Sequence, residues 1–281
     1  MSATPPDPLP PIAYLGPEGS FAHLVAKQRY EGRALRPFKT IPEVFEYVSG
    51  EPQSLGIVPI ENSSGGNILP TVDGLIENAC RIFVNEELSL DVKLALLGRK
   101  DSPIDVVYSH SAPLQHCQKW LRKTYPNAEH VAAPSTSGAV QFALQEPNAA
   151  AIGPIENAEM YGLEVLHYPI EKEVPNVTQF FVIAHERQAI TDGVKSSFVV
   201  ALPNSPGSLC AFLEPFKNAA VNLTRIQSRP IIGQPNTYMF LVELEGSEEA
   251  GPVQQALRGA GEVAMRIDSL GSYRVIARYQ S

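Results

Sequence analysis

The sequence predicts an α/β protein in which helices flank parallel strands, followed by a smaller βαββαβ module. Two observations carry that expectation. From Ile12 onward, short apolar or β-branched runs alternate with segments of helical period, as they do where sheets are covered by helices. A polar segment at 185–195, which carries the turn signal Asp192-Gly193, then interrupts the alternation, and the order after it restarts as strand, helix, strand, strand, helix, strand.

In order, the first region reads as strand 12–15, helix 21–30, helix 41–48, strand 55–60 and helix 67–79. A long β-rich stretch at 81–97 follows, then strand 106–109, helix 113–125, a short strand near Val131, helix 136–145, strand 149–152 and strand 178–184. The second region reads as strand 197–202, helix 208–219, strands 222–228 and 237–244, helix 252–258 and strand 263–271. That order is a ferredoxin-like plan, with two helices covering one face of an antiparallel sheet.

At 281 residues the chain is long enough for two domains, and its net charge of −8 argues against a broad basic surface for nucleic acid. The three cysteines Cys80, Cys117 and Cys210 are far apart and have no metal-type spacing, so they read as buried thiols. No metal site is expected. Residues 1–10 read as a flexible tail without the basic start and apolar core of a secretory signal, which points to the cytoplasm. No apolar run approaches the roughly 20 residues that cross a membrane, so no membrane partner is expected.

Polar clusters follow several of the short apolar runs, where ligands collect in α/β folds. The first is Glu61-Asn62-Ser63-Ser64-Gly65-Gly66, whose glycines let a ligand approach the backbone. Its beginning, Pro59-Ile60-Glu61-Asn62, recurs as Pro154-Ile155-Glu156-Asn157, which continues without hydroxyls and reads as a strand exit of similar local chemistry. Tyr14 to Phe21 joins a strand to a helix whose N-terminus could hold an anion or serve only as a turn. Tyr108-Ser109-His110 reads as a loop triplet or as the place of a base. Ser135-Thr136-Ser137 opens a helix and offers more hydroxyls than capping needs, which suits a substrate carboxylate.

Together with Thr71-Val72-Asp73, Tyr161-Gly162-Leu163 and Asn176-Val177-Thr178-Gln179-Phe180-Phe181, these segments resemble the prephenate dehydratases from Ile12 to Val275. In the last region, Asn204, Gly207-Ser208-Leu209 and Gln227-Ser228-Arg229-Pro230 resemble the phenylalanine site of that family's ACT module. The resemblance implies a catalytic domain over 11–187, two-lobed like periplasmic binding proteins, and an ACT regulatory domain over 196–276. It implies that prephenate loses its ring carboxylate as carbon dioxide and its ring hydroxyl as water, in phenylalanine biosynthesis, with no cofactor. Thr178 then takes the catalytic role, a hydrogen bond or proton delivery to the leaving hydroxyl. Glu61, Asn62, Ser63, Gly65, Ser109, Ser135, Thr136, Ser137, Gln179 and Phe180 fall to substrate binding. Phenylalanine is the implied effector and a homodimer or homotetramer the implied assembly.

The sequence departs from the family at a few positions. Thr178-Gln179-Phe180 stands where the family has Thr-Arg-Phe, and glutamine cannot replace a guanidinium as a bidentate carboxylate partner. Lys93-Leu94 replaces a histidine pair, His116 replaces the glutamine before Cys117, and Gln227 replaces a glutamate of the effector motif. These departures leave open arogenate dehydration, prephenate decarboxylation without aromatisation, or a non-catalytic sensor of aromatic amino acids.

Overall fold

A computed structural model describes residues 9–170, 174–188, 190, 194–231 and 238–281, so the Asp192-Gly193 turn signal lies outside the described residues. The chain opens with β1 (Ile12–Leu15), α1 (Phe21–Arg29), β2 (Leu35–Phe38), α2 (Ile41–Gly50), β3 (Leu55–Asn62), β4 (Gly66–Asn67), α3 (Leu69–Glu77) and β5 (Phe83–Asp91). It crosses to a second lobe made of β6 (Leu94–Gly98), β7 (Val106–Ser109), α4 (Ser111–His116), α5 (Gln118–Thr124), β8 (Glu129–Ala132), α6 (Thr136–Gln145), β9 (Ala149–Gly153), α7 (Glu156–Tyr161) and β10 (Glu164–Ile170). It returns through β11 (Val177–Ala184) and ends with β12 (Val194–Ala201), α8 (Ser208–Asn218), β13 (Leu223–Pro230), β14 (Tyr238–Glu245), α9 (Gly251–Gly261) and β15 (Arg266–Gln280).

These strands form two sheets, one of ten strands and one of five. The larger runs β13-β14-β12-β15-β5-β11-β3-β1-β2 with β4 on β3, and the smaller runs β10-β6-β9-β7-β8. The expectation of parallel strands in the first region holds in part: β1 is parallel to β2 and β3, and β7 to β8 and β9, but β11 is antiparallel to β3 and β6 to β9. The cause is connectivity, because β6 and β11 are the strands by which the chain enters a sheet after each passage between lobes. The passages themselves are tied where the backbone N–H of Val92 donates to the Asn176 carbonyl at 2.7 Å.

Side chains alternate across each strand, so the large sheet separates two cores. Ile12, Tyr14, Ile57, Leu88, Phe180 and Val182 pack on the face toward the second lobe, whereas Ala13, Val58, Ile60, Phe181 and Ile183 pack on the other. Phe180 and Phe181 are both fully buried, each contributing about 1.5–3 kcal/mol of hydrophobic stabilisation. The C-terminal strands form an antiparallel sheet in the order β13-β14-β12-β15, and α8 and α9 cover one face through Phe198, Phe212, Phe216 and Ala256. This is the expected βαββαβ plan. Its other face joins the core of the first lobe through Val199, Leu241 and Tyr273.

Candidate functional site

A cavity of about 350 Å³ opens between the two lobes. The large sheet supplies Leu15, Pro59, Asn62, Thr178 and Phe180 to its wall, the interlobe passages supply Val92 and Asn176, and the second lobe supplies His110, Ser135 and Thr136. Two helices, of nine and ten residues, begin here. Ser20 caps α1 by accepting from the His23 N–H at 3.2 Å, and Ser135 caps α6 by accepting from the Gly138 N–H at 2.9 Å. Both therefore turn a positive dipole end toward the cavity.

Asn62 organises the opposite wall. Its Oδ1 accepts from the backbone N–H groups of Ser64 at 2.9 Å and Gly65 at 2.8 Å, which folds the chain sharply after β3. Gly66 completes that turn at φ +77°, a conformation that favours glycine. The Asn62 Nδ2 donates to Asn176 Oδ1 at 2.8 Å and to Thr178 Oγ1 at 2.9 Å. A hydroxyl carries one donor and two acceptor lone pairs, so Thr178 accepts from Asn62 and keeps its own proton for a ligand.

Among the described residues lining the cavity there is no Asp, Glu, Lys or Arg, and His110 is the titratable side chain. Burial lowers the His110 pKa from its ordinary value, which favours the neutral ring. Among the described residues no cluster of three or more His, Cys, Asp or Glu is placed to hold a metal. The site thus offers hydroxyls, amides, helix N-termini and apolar rings.

Of the residues expected from the sequence, Asn62, Ser135, Thr136, Thr178 and Phe180 line the cavity, whereas Glu61, Ser63, Gly65, Ser109, Ser137 and Gln179 stand outside its lining. Ser63 fastens the turn, accepting from the Val177 N–H at 2.9 Å and donating to the Pro175 carbonyl at 3.2 Å. Gly65 belongs to the same turn. Ser109 donates inward to the Ile152 carbonyl at 2.7 Å, and the buried Ser137 accepts from Asn157 Nδ2 at 3.5 Å. That second bond gives the repeated tetrapeptide a structural use at the start of α7.

Glu61 and Gln179 face each other in the register of β3 and β11, on the side of the sheet away from Asn62 and Thr178. Between them stands Arg225 of β13, which pairs with the Glu61 carboxylate and donates to Gln179 Oε1 at 2.8 Å and Asn67 Oδ1 at 3.1 Å. The cation beside Gln179 is therefore Arg225. Gln179 Nε2 donates on to Glu87 at 3.3 Å, and Lys195 lies 2.9 Å from Glu87 and 3.0 Å from Glu243. Burial raises the Glu87 pKa, aided by Glu243. Burial also pushes the Glu243 carboxyl up, but Lys195, Arg225 and the Thr224 hydroxyl more than reverse this and leave it below the ordinary value.

The sequence model of the prephenate dehydratases matches residues 12–188. The chain belongs to the prephenate dehydratase family. The bifunctional chorismate mutase/prephenate dehydratase of Pseudomonas aeruginosa is 35% identical over 265 residues, covering 93% of this chain and 72% of that one. The prephenate dehydratase of Lactococcus lactis is 31% identical, covering 94% of this chain and 97% of its own length. Among solved structures, the prephenate dehydratase of Arthrobacter aurescens in complex with L-Phe superposes with a TM-score of 0.84 at 28% identity, covering 94% of this chain and 89% of that one.

Sequence reasoning did not commit Ser20, Ser64, His110 or Asn176 to the site of this prephenate dehydratase family member, although all four line its cavity. The signal for Ser20 was its place in the strand-to-helix turn. The signal for Asn176 was its place two residues before Thr178 in the same motif, although its entry into the cavity depends on the passage between lobes. The cysteine expectation is met by Cys117, which is buried, while Cys80 and Cys210 are exposed.

Proposed function

We propose that the interlobe cavity binds prephenate and converts it to phenylpyruvate, carbon dioxide and water, and that phenylalanine regulates the chain through its C-terminal module. The reading rests above all on the Thr178 hydroxyl, held by Asn62 with its own proton available, in a cavity lined by neutral groups. Aromatisation drives the reaction, so the protein need only orient the dianion and stabilise the departing hydroxyl. Thr178 supplies the hydrogen bond to that oxygen, in surroundings dry enough for a neutral donor to matter. The α1 and α6 N-termini, with Ser135 and Thr136, take the carboxylates, while Phe180 packs against the ring. Gln179, whose substitution opened other readings of the sequence, faces away from this chemistry.

Effector binding falls to the end of the C-terminal sheet where both matched motifs meet. The ladder places Arg229 opposite Met239 and Met239 opposite Ala201, so Gln227 to Pro230 and the α8 start at Gly207 to Leu209 lie at the same end. Asn204 is exposed beside them. Two contacts lead from there to the first lobe: Asn67 Nδ2 donates to Gln227 at 2.6 Å, and Arg229 grips Asp73 with bonds of 2.6 and 2.7 Å. Phenylalanine seated at this end would alter contacts that touch β4 and α3.

Incubating the purified chain with prephenate, and separately with arogenate, tests the assignment by product identification. Phenylpyruvate formed from prephenate, with a rate that changes on adding phenylalanine, is the expected outcome. Phenylalanine formed from arogenate with prephenate left intact would overturn it.

A further inference from the structure

We propose that Ser64 and His116 form a proton-delivering pair at the cavity, with Ser64 as the acid that meets the leaving hydroxyl and His116 as its proton source. The inference rests on the prephenate reading and adds a titrating group to it. Ser64 lines the cavity, and its Oγ lies 2.9 Å from His116 Nδ1 at the end of α4. The Ser64 N–H and the Thr178 hydroxyl are bonded to opposite ends of the same Asn62 carboxamide. The turn that orients Thr178 therefore also brings the Ser64 hydroxyl to the same wall.

Stoichiometry supplies the need. The C–C bond to the ring carboxylate breaks and its electron pair completes the aromatic ring. The C–O bond breaks with its pair on oxygen, so the products are carbon dioxide, the phenylpyruvate anion and a hydroxide equivalent. One proton per turnover must reach that oxygen to make water. Thr178 can stabilise it with a hydrogen bond, but a lone alcohol is too weak an acid to supply the proton and recover unaided. Passage from Ser64 to the leaving oxygen, with replacement of the Ser64 proton by His116 imidazolium, closes the balance. Histidine is the side chain whose ordinary pKa suits this exchange near neutral pH. His116 is only half-buried, so water can return its proton.

The surroundings single out this pair. Elements packed against α4 carry Lys119, Arg122 and Lys123 on α5, Tyr108 on β7, and Glu129 and His130 on β8. Of these, Lys119, Arg122, Lys123 and Glu129 are exposed and Tyr108 donates to Glu146 at 2.7 Å; none lines the cavity, and His116, which does not line it either, reaches it through Ser64. His110, the other candidate, does line it, but its Nδ1 accepts from the Ala112 N–H at 3.4 Å as the cap of α4.

The test is the pH profile of kcat and KM for prephenate in the full chain, from about pH 5.5 to about pH 9, where imidazoles titrate. The wild type should lose kcat above a single pKa. His116→Gln keeps a polar partner for Ser64 but carries no exchangeable charge. It should lower kcat about 100-fold at the acidic end, leave KM within about threefold and abolish the pH-dependent fall. Ser64→Ala should do the same, and the double variant should be no worse than either single one, because the two groups act as a unit. A fall that persists in His116→Gln but vanishes in His110→Gln overturns the proposal, as do losses that multiply in the double variant. A wild-type chain that leaves prephenate intact overturns the reading of the site as well, so the two failures are distinct.

Discussion

The two faces of the β3–β11 strand pair differ in the kind of polarity they carry. On the cavity face, Asn62, Asn176 and Thr178 are neutral and share one carboxamide-centred network. On the opposite face, Glu61 and Gln179 lead into Arg225, Glu243, Lys195 and Glu87, a chain of charges in which Glu87 and Glu243 are almost fully buried. A single-residue step along each strand moves from one to the other. The front needs neutral donors that leave a dianion attractive to dipoles and hydroxyls. The back needs strong, directional pairs that fix where β13 of the C-terminal module meets the catalytic strands.

That comparison can be broken from either side. The largest effect belongs to Lys195→Met, which leaves two buried carboxylates without their shared cation and should cost about 3–5 kcal/mol of stability, read by chemical unfolding. Its pH dependence has a definite sign. Burial works against the Lys195 charge, but Glu243 and Glu87 raise its pKa, so its contribution is fully present below the ordinary lysine value and is lost as pH climbs through the raised one. The wild type should therefore lose thermal midpoint at alkaline pH, and that fall should shrink in Lys195→Met. Glu243, held below the ordinary carboxylate value, contributes above that value and loses its contribution as pH falls through the lowered one.

Next in size is Thr178→Ala, which should lower kcat by roughly 10²–10³ through loss of one donor to the leaving oxygen while unfolding stays near wild type. Retention of near-normal turnover would remove Thr178 from its role. The smallest of the three is Arg225→Met. It should cost about 1–3 kcal/mol, since Glu243 keeps Lys195 and Glu61 is partly exposed, and it should reduce kcat severalfold by loosening the strands behind Asn62 and Thr178. If its kcat is unchanged, the two faces are independent.

Much of this was legible in the residues. The apolar run at 55–60 and the helix at 136–145 appear where expected because the first is unbroken until Glu61-Asn62 and the second has a helical period opened by a capping serine. β2, with sequence Leu-Arg-Pro-Phe and an exposed middle, has no such period. The single β-rich stretch at 81–97 divides into β5 and β6 in different sheets, a break made by the passage between lobes and marked by no glycine or proline. The expected helix 113–125 is two short ones meeting at Cys117. Within the site, the period of two could have separated Glu61 and Gln179 from Asn62 and Thr178, since neighbours in a strand face opposite ways. Ser109 and Ser137 were less accessible to such reasoning, because a hydroxyl that satisfies a buried carbonyl or amide looks the same in sequence as one that awaits a ligand.

β15 is a single strand shared by two modules. Its first part pairs with β12 and its second part, from Arg274 to Gln280, pairs with β5 over Glu86 to Asp91. A fragment cut at residue 187 would retain every residue that lines the cavity, yet it would leave that edge of β5 bare. An open edge of backbone donors and acceptors templates pairing with another chain. Dissection of this protein would therefore be limited by aggregation before it was limited by chemistry, and a soluble catalytic fragment would have to carry residues 274–280, supplied in trans or grafted through a short linker.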